Sequence, residues 1–170
     1  MNVEKFWKLI EKTRQISQGA SNQQADLLID ELTKLSEADI FSYQSILDDL
    51  MDKAYIAELW DIAGIMASGW GCSDDGFMDF RAWLIGQGQD AFEKALSDPE
   101  SLVDVVEVGQ ETQSEALLYV AMRAYELSTH KDMETMPNRV KPLPELKGEL
   151  APDKDATLVR FPKATAKFWK

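Results

Sequence analysis

The chain has 170 residues, 45% of them hydrophobic and 28% charged, and 18 basic against 30 acidic residues leave a net charge of −12. A single cysteine, Cys72, excludes an intrachain disulfide, and a single histidine, His130, excludes a His/Cys zinc site with its three or four ligands. The acidic balance argues against nucleic acid as a partner, since a phosphate-backbone binder needs clustered lysine and arginine, and no apolar run approaches the roughly 20 residues that cross a bilayer.

A chain this long buries roughly 70% of its unfolded surface, so one core can hold it without a metal or disulfide staple. Apolar residues recur at helical spacing through most of it, with no convincing period-two strand before residue 150. Asn2 can cap a first helix with the face Phe6, Leu9, Ile10 and Thr13, and the segment 17–21, with Gly19, ends it. Leu28, Leu32 and Leu35 mark a second helix. Ser36 and Asp39 form a Ser-x-x-acid box that opens a third, whose stripe is Ile40, Tyr43, Leu47, Leu50, Met51 and Ala54. From 55 to 67 the polar face is lost: Ile56, Leu59, Trp60, Ile62, Ala63, Ile65 and Met66 point nearly everywhere. The stretch 77–86 behaves alike. Helices apolar all round belong at the centre of a core. Shorter helices are expected at 90–96 and from Asp98-Pro99, where proline suits the first helical position, and a long one at about 111–127.

After Met136 the character changes. Residues 137–170 hold five of the six prolines, with eight Lys/Arg against four Asp/Glu, a net of +4; residues 1–136 hold ten against twenty-six, a net of −16. The expectation is an all-α domain over 1–136, packed around two central apolar helices. A basic, extended segment over 137–170 is expected to dock on its outside through Val140, Leu143, Leu146, Leu150, Leu158, Val159, Phe161, Phe168 and Trp169.

The stretch from Gly69 to Phe77 links the two central helices and carries three glycines, Gly69, Gly71 and Gly76. A phosphate cradle is disfavoured there, because such loops follow a strand and two carboxylates would face the anion. Asp74, Asp75 and Asp79 lack the alternating ladder of a calcium loop. Cys72 as nucleophile would need His130 brought in from far downstream. The preferred reading is structural: Asp74 or Asp75 caps a helix beginning near Gly76, and Arg81 reaches back to pair with Asp74 and fix the angle between the central helices. The same Ser73, Asp74, Asp75 and Arg81 would carry the alternative, a small enzyme with a divalent-cation or carboxylate site. A second feature is the acidic run Asp98, Glu100, Asp104, Glu107, Glu111 and Glu115, with no basic residue from 97 to 115. Read for function, it is a docking surface for a basic partner.

Phe6-Trp7-Lys8-Leu9-Ile10, Glu58-Leu59-Trp60, the run Cys72-Ser73-Asp74-Asp75-Gly76-Phe77 with the following Phe80-Arg81-Ala82-Trp83-Leu84-Ile85, and Asp98-Pro99-Glu100-Ser101-Leu102 resemble the bacterial domain-of-unknown-function family numbered 4240. The resemblance implies an intracellular bacterial domain and supplies no reaction. The functional expectation is therefore a non-catalytic, cytoplasmic interaction protein without cofactors, an immunity- or antitoxin-like inhibitor or a regulator, binding a basic protein through its acidic surface.

Overall fold

Asn2 opens α1 (Val3–Ser17), its side chain accepting the amide of Lys5 at 2.9 Å. Ser36 does the same for α3 (Glu37–Lys53), accepting from Asp39, whose carboxylate also pairs with the terminal ammonium of Met1. In a computed structural model that describes residues 1–67, 71–137, 140–142 and 144–169, the fold is all-α. Gly69, Trp70 and Leu143 of the sequence reading lie outside these residues. Among them the one β-type contact is an isolated parallel bridge between Ile56 and Lys147.

The expected stripes are buried. Helix α1 contributes Phe6, Ile10 and Thr13, together with Trp7; α2 (Ser21–Leu32) contributes Leu28 and Leu32; and α3 contributes Ile40, Tyr43, Leu47, Leu50 and Met51. Leu35 is exposed because α2 ends before it. A buried amide ties α2 to two neighbours: the Gln24 side chain donates to the carbonyls of Ile10 (3.3 Å) in α1 and of Gly86 (3.0 Å), the last residue of the helix over 74–86.

Helix α4 (Ala57–Met66) buries Ala57, Leu59, Ile62, Ala63, Gly64, Ile65 and Met66. Helix α5 (Asp74–Gly86) buries Phe77, Phe80, Ala82, Trp83, Leu84, Ile85 and Gly86. Gly64 leaves room for the backbone of Gly71 against α4. A Cβ built there would stand 2.9 Å from the Gly71 carbonyl carbon, closer than packed atoms tolerate. Helix α6 (Gln89–Ser97) leads into a 3₁₀ turn, Pro99–Asp104, with proline at its start as the sequence predicts.

The single long helix expected at 111–127 is instead divided. A 3₁₀ turn, Glu115–Tyr119, precedes α7 (Val120–Thr129), and the residues before it are irregular. The cause is tertiary: the Ser114 amide donates to the Asp79 carbonyl of α5 at 3.0 Å, which pins the chain before a helix can start. His130 closes α7 in a left-handed conformation, φ 57°.

The C-terminal segment is not extended throughout, contrary to expectation. Asp153 accepts the Ala156 amide at 2.8 Å and opens α8 (Lys154–Arg160), and Pro162, which has no amide to satisfy, opens α9 (Pro162–Phe168). Phe161, Ala164 and Phe168 enter the core. Four expected anchors do not: Val140 is 97%, Val159 82%, Leu150 43% and Leu158 41% exposed. The period of a helix, which α8 imposes, buries Thr157 and Phe161 and leaves Val159 on the outside. Basic residues of this segment meet acidic ones of the helices. Lys141 pairs with Asp52 of α3 and donates to the Asp48 carbonyl, and Arg160 pairs with Asp61 of α4 at 3.1 Å. Among the described residues no helix is long and apolar enough to cross a membrane.

Candidate functional site

Arg81 is half-buried, and its charge is not met by the aspartates of the loop. Among the described residues no ion pair joins it to Asp74 or Asp75. Its guanidinium donates to the carbonyl of Met51 (2.9 Å) in the last turn of α3, and its Nε to the Phe77 carbonyl (3.4 Å). Its central carbon lies 4.9 Å from the ring centres of both Tyr55 and Phe77. The last carbonyls of a helix have no partner within it and carry the negative end of its dipole. Arg81 therefore ties α5 to the C-terminus of α3, rather than to α4 through the loop. Burial pulls its pKa down, while Tyr55 and Asp52 oppose that pull. The pairing expected with Asp74 fails on length: seven residues along a helix is about 10 Å, and the Met51 carbonyl is nearer.

The cap also differs from expectation. Helix α5 begins at Asp74, not near Gly76, and Ser73 is its cap, accepting the Gly76 amide at 3.1 Å. Asp74 and Asp75 thus fall in the first turn and are exposed, where negative charge suits the free amides. On the other side of the loop the Trp60 indole donates to the Cys72 carbonyl at 2.8 Å and stacks on Phe77, ring centres 4.6 Å apart. Asp74, Asp75, Arg81, Tyr55, Trp60 and Lys141 all line an open groove of about 440 Å³ between α3, α5 and the C-terminal segment. Among the described residues no three of His, Cys, Asp and Glu are placed to hold one metal ion. The Cys72 thiol is half-buried, and burial together with the charge of Asp79 pushes its pKa up, the opposite of what an activated thiolate needs.

The acidic run is divided by the fold. Glu100 turns inward: one carboxylate oxygen accepts the amides of Lys163 (2.8 Å) and Ala164 (3.0 Å), the first turn of α9. Asp98, Asp104 and Glu107 are exposed. Glu111 and Glu115 line a separate hollow of about 680 Å³ with Asp79 of α5, Asp26 of α2, Ser114, Tyr119 and Arg123. Burial first, then the charges of Glu115 and Asp75, raise the Asp79 pKa from its ordinary value. Sequence reasoning reached Glu111 and Glu115 through the run, but not their meeting with Asp79 and Asp26, which are remote in the chain. Ser114 left no signal in the sequence.

No curated protein and no solved structure matches the chain. A family model does match, over residues 1–127, in the part that holds α1 to α6 and most of α7 and includes the Ser73–Arg81 segment. The chain belongs to the family described as "Protein of unknown function (DUF4240)".

Proposed function

We propose that this protein is a non-catalytic docking protein, of the immunity, antitoxin-like or regulatory kind, that binds a basic protein through the acidic surface built by residues 104–115. The observation that carries the reading is the uneven neutralisation of its carboxylates. Glu4, Glu31, Asp39, Asp52 and Asp61 each meet a cation within ion-pair distance. Asp104, Glu107, Glu111 and Glu115 are exposed and, among the described residues, meet none. Among the described residues the chain's own basic segment does not serve them: Lys141 and Arg160 are engaged on α3 and α4, and Lys167 donates to the Val103 carbonyl. A field left open in this way speeds encounter with a cationic surface and disfavours wrong partners.

The test compares two triple variants of equal charge as bait at low and high salt. In Asp104→Asn/Glu107→Gln/Glu111→Gln the proposed surface is neutralised; in Asp90→Asn/Glu134→Gln/Asp155→Asn the same charge is removed from other exposed sites. The expected result is one identified basic protein, captured at low salt by the native chain and the control, and lost from the surface variant and at high salt. Equal loss from both variants, or no such protein, refutes the reading.

A second reading, a small enzyme or small-molecule binder at the Ser73–Asp75 loop, draws support from the open groove beside it, lined by Asp74, Asp75 and Arg81. Its test is thermal: Mg²⁺ or Ca²⁺ raising the melting temperature of the native chain but not of Asp74→Asn/Asp75→Asn supports it, because only a ligand of the native state stabilises by mass action.

A further inference from the structure

We infer that the hollow between α2, α5 and the 3₁₀ turn Glu115–Tyr119 is a socket for one arginine side chain of the basic partner. This rests on the docking reading above and narrows it to a place and a chemical group. The hollow is lined by four carboxylates, Asp26, Asp79, Glu111 and Glu115, against one cation, Arg123, a formal net charge of −3. Acidic residues grouped on a surface mean little alone. A second feature sits among them: Ser114 lines the hollow, is only 5% exposed, and its Oγ has no hydrogen-bond partner among the described residues. A buried hydroxyl left unpaired costs on the order of its desolvation, so native structures pair nearly all of them. A donor-rich group entering from the hollow would pair this one.

Size and spacing select the group. At about 680 Å³ the hollow is far larger than an ion, and no three acidic side chains among the described residues stand close enough to hold one metal. Charge spread over several separated carboxylates suits an extended cation. Guanidinium offers five donors in a plane, which can meet two carboxylates and a hydroxyl together. Tyr119, 40% exposed at the same hollow, supplies an aromatic face on which that plane can stack. Asp79 feels the charge of Glu115 across the hollow, and a guanidinium between them would relieve that repulsion.

The test is an NMR titration of the native chain with the blocked peptide acetyl-Gly-Arg-Gly-amide and with its citrulline counterpart, which has the same shape and no charge. Saturable shifts confined to residues 111–119 and their neighbours on α2 and α5, absent with citrulline, are expected. Asp79→Asn/Glu115→Gln should weaken the arginine peptide at least tenfold and Ser114→Ala about threefold, while Asp90→Asn/Glu134→Gln, an equal charge change elsewhere, should leave it unchanged. Equal weakening in that control, or shifts spread over every acidic surface, overturns the socket. So does saturation by spermidine at these residues without saturation by the peptide, which would make the hollow a polyamine site, and so does Mg²⁺ or Ca²⁺ reproducing the shifts. Partner capture that survives Asp79→Asn/Glu115→Gln but not the triple surface variant removes the socket and leaves the docking reading standing.

Discussion

Replacing Arg81 separates two explanations of why a cation is held at the heart of this fold. Its removal loses two charge-assisted hydrogen bonds, a short one to the Met51 carbonyl and a longer one to the Phe77 carbonyl, and two aromatic faces, Tyr55 and Phe77. Leaving the α3 carbonyl unpaired costs about 1.5–2 kcal/mol, and each partly buried cation–ring contact adds about 0.5–1 kcal/mol. Arg81→Met, which keeps the apolar stem, should therefore lose about 3 kcal/mol in urea unfolding, or about 8 °C in melting temperature for a chain of this length. Arg81→Lys should recover under half of that, because an ammonium cannot both lie flat between two rings and reach the carbonyl. The decisive comparison is a double-mutant cycle with Asp75→Asn and with Asp74→Asn. The geometry predicts coupling below about 0.5 kcal/mol for each, whereas a buried ion pair would couple by several kcal/mol. Loss of less than 1 kcal/mol in Arg81→Met, or coupling above about 1.5 kcal/mol with either aspartate, refutes the role of Arg81 as a tie to the end of α3.

Three further outcomes follow from the same geometry. Glu100→Ala removes the acceptor for the first two amides of α9 and should cost about 1–2 kcal/mol; limited proteolysis should then cut first within residues 150–169, and unchanged protection there would deny Glu100 its role. Gly64→Ala sets a methyl group against the Gly71 backbone and should cost at least 2 kcal/mol with α4 otherwise unchanged, a result that a melting curve near the native one would contradict. Asp79→Asn should stabilise the protein at neutral pH by about 0.5 kcal/mol, since partial burial, then the solvent-screened charges of Glu115 and Asp75, disfavour its ionised form. The sign follows from its raised pKa. The native state holds the proton more tightly than the unfolded chain, so the native chain loses stability as pH rises through the folded pKa. The gain from Asn should therefore shrink below pH about 4; a gain that persists there points to packing rather than charge.

Local patterns were legible wherever one residue dictated one local event. Asn2, Ser36 and Pro99 open their elements as read, because a cap needs only its own side chain and amides two or three residues on. The stripe from Ile40 to Ala54 is buried throughout, because 3.6-residue periodicity is a property of the chain alone. The candidate loop was found by its glycines and acids, yet the roles within it were misassigned. Ser73 rather than an aspartate caps α5, and Arg81 bonds a carbonyl thirty residues away. A backbone carbonyl has no letter in the sequence, so no spacing rule could name Met51 as that partner.

The same limit explains the remaining differences. The chain by itself determined an all-helical fold, its acidic balance, the absence of a disulfide and the stripes that must meet in a core. Only the tertiary structure decided that Glu100 turns inward to hold α9, that Ser114 pins the chain to α5 and shortens α7, and that Asp26, Asp79, Glu111 and Glu115 gather around one hollow. Periodicity and capping act over a few residues and are written locally. Which carboxylate meets a cation, and which is left to solvent, depends on where distant helices bring their charges, and that is set by packing.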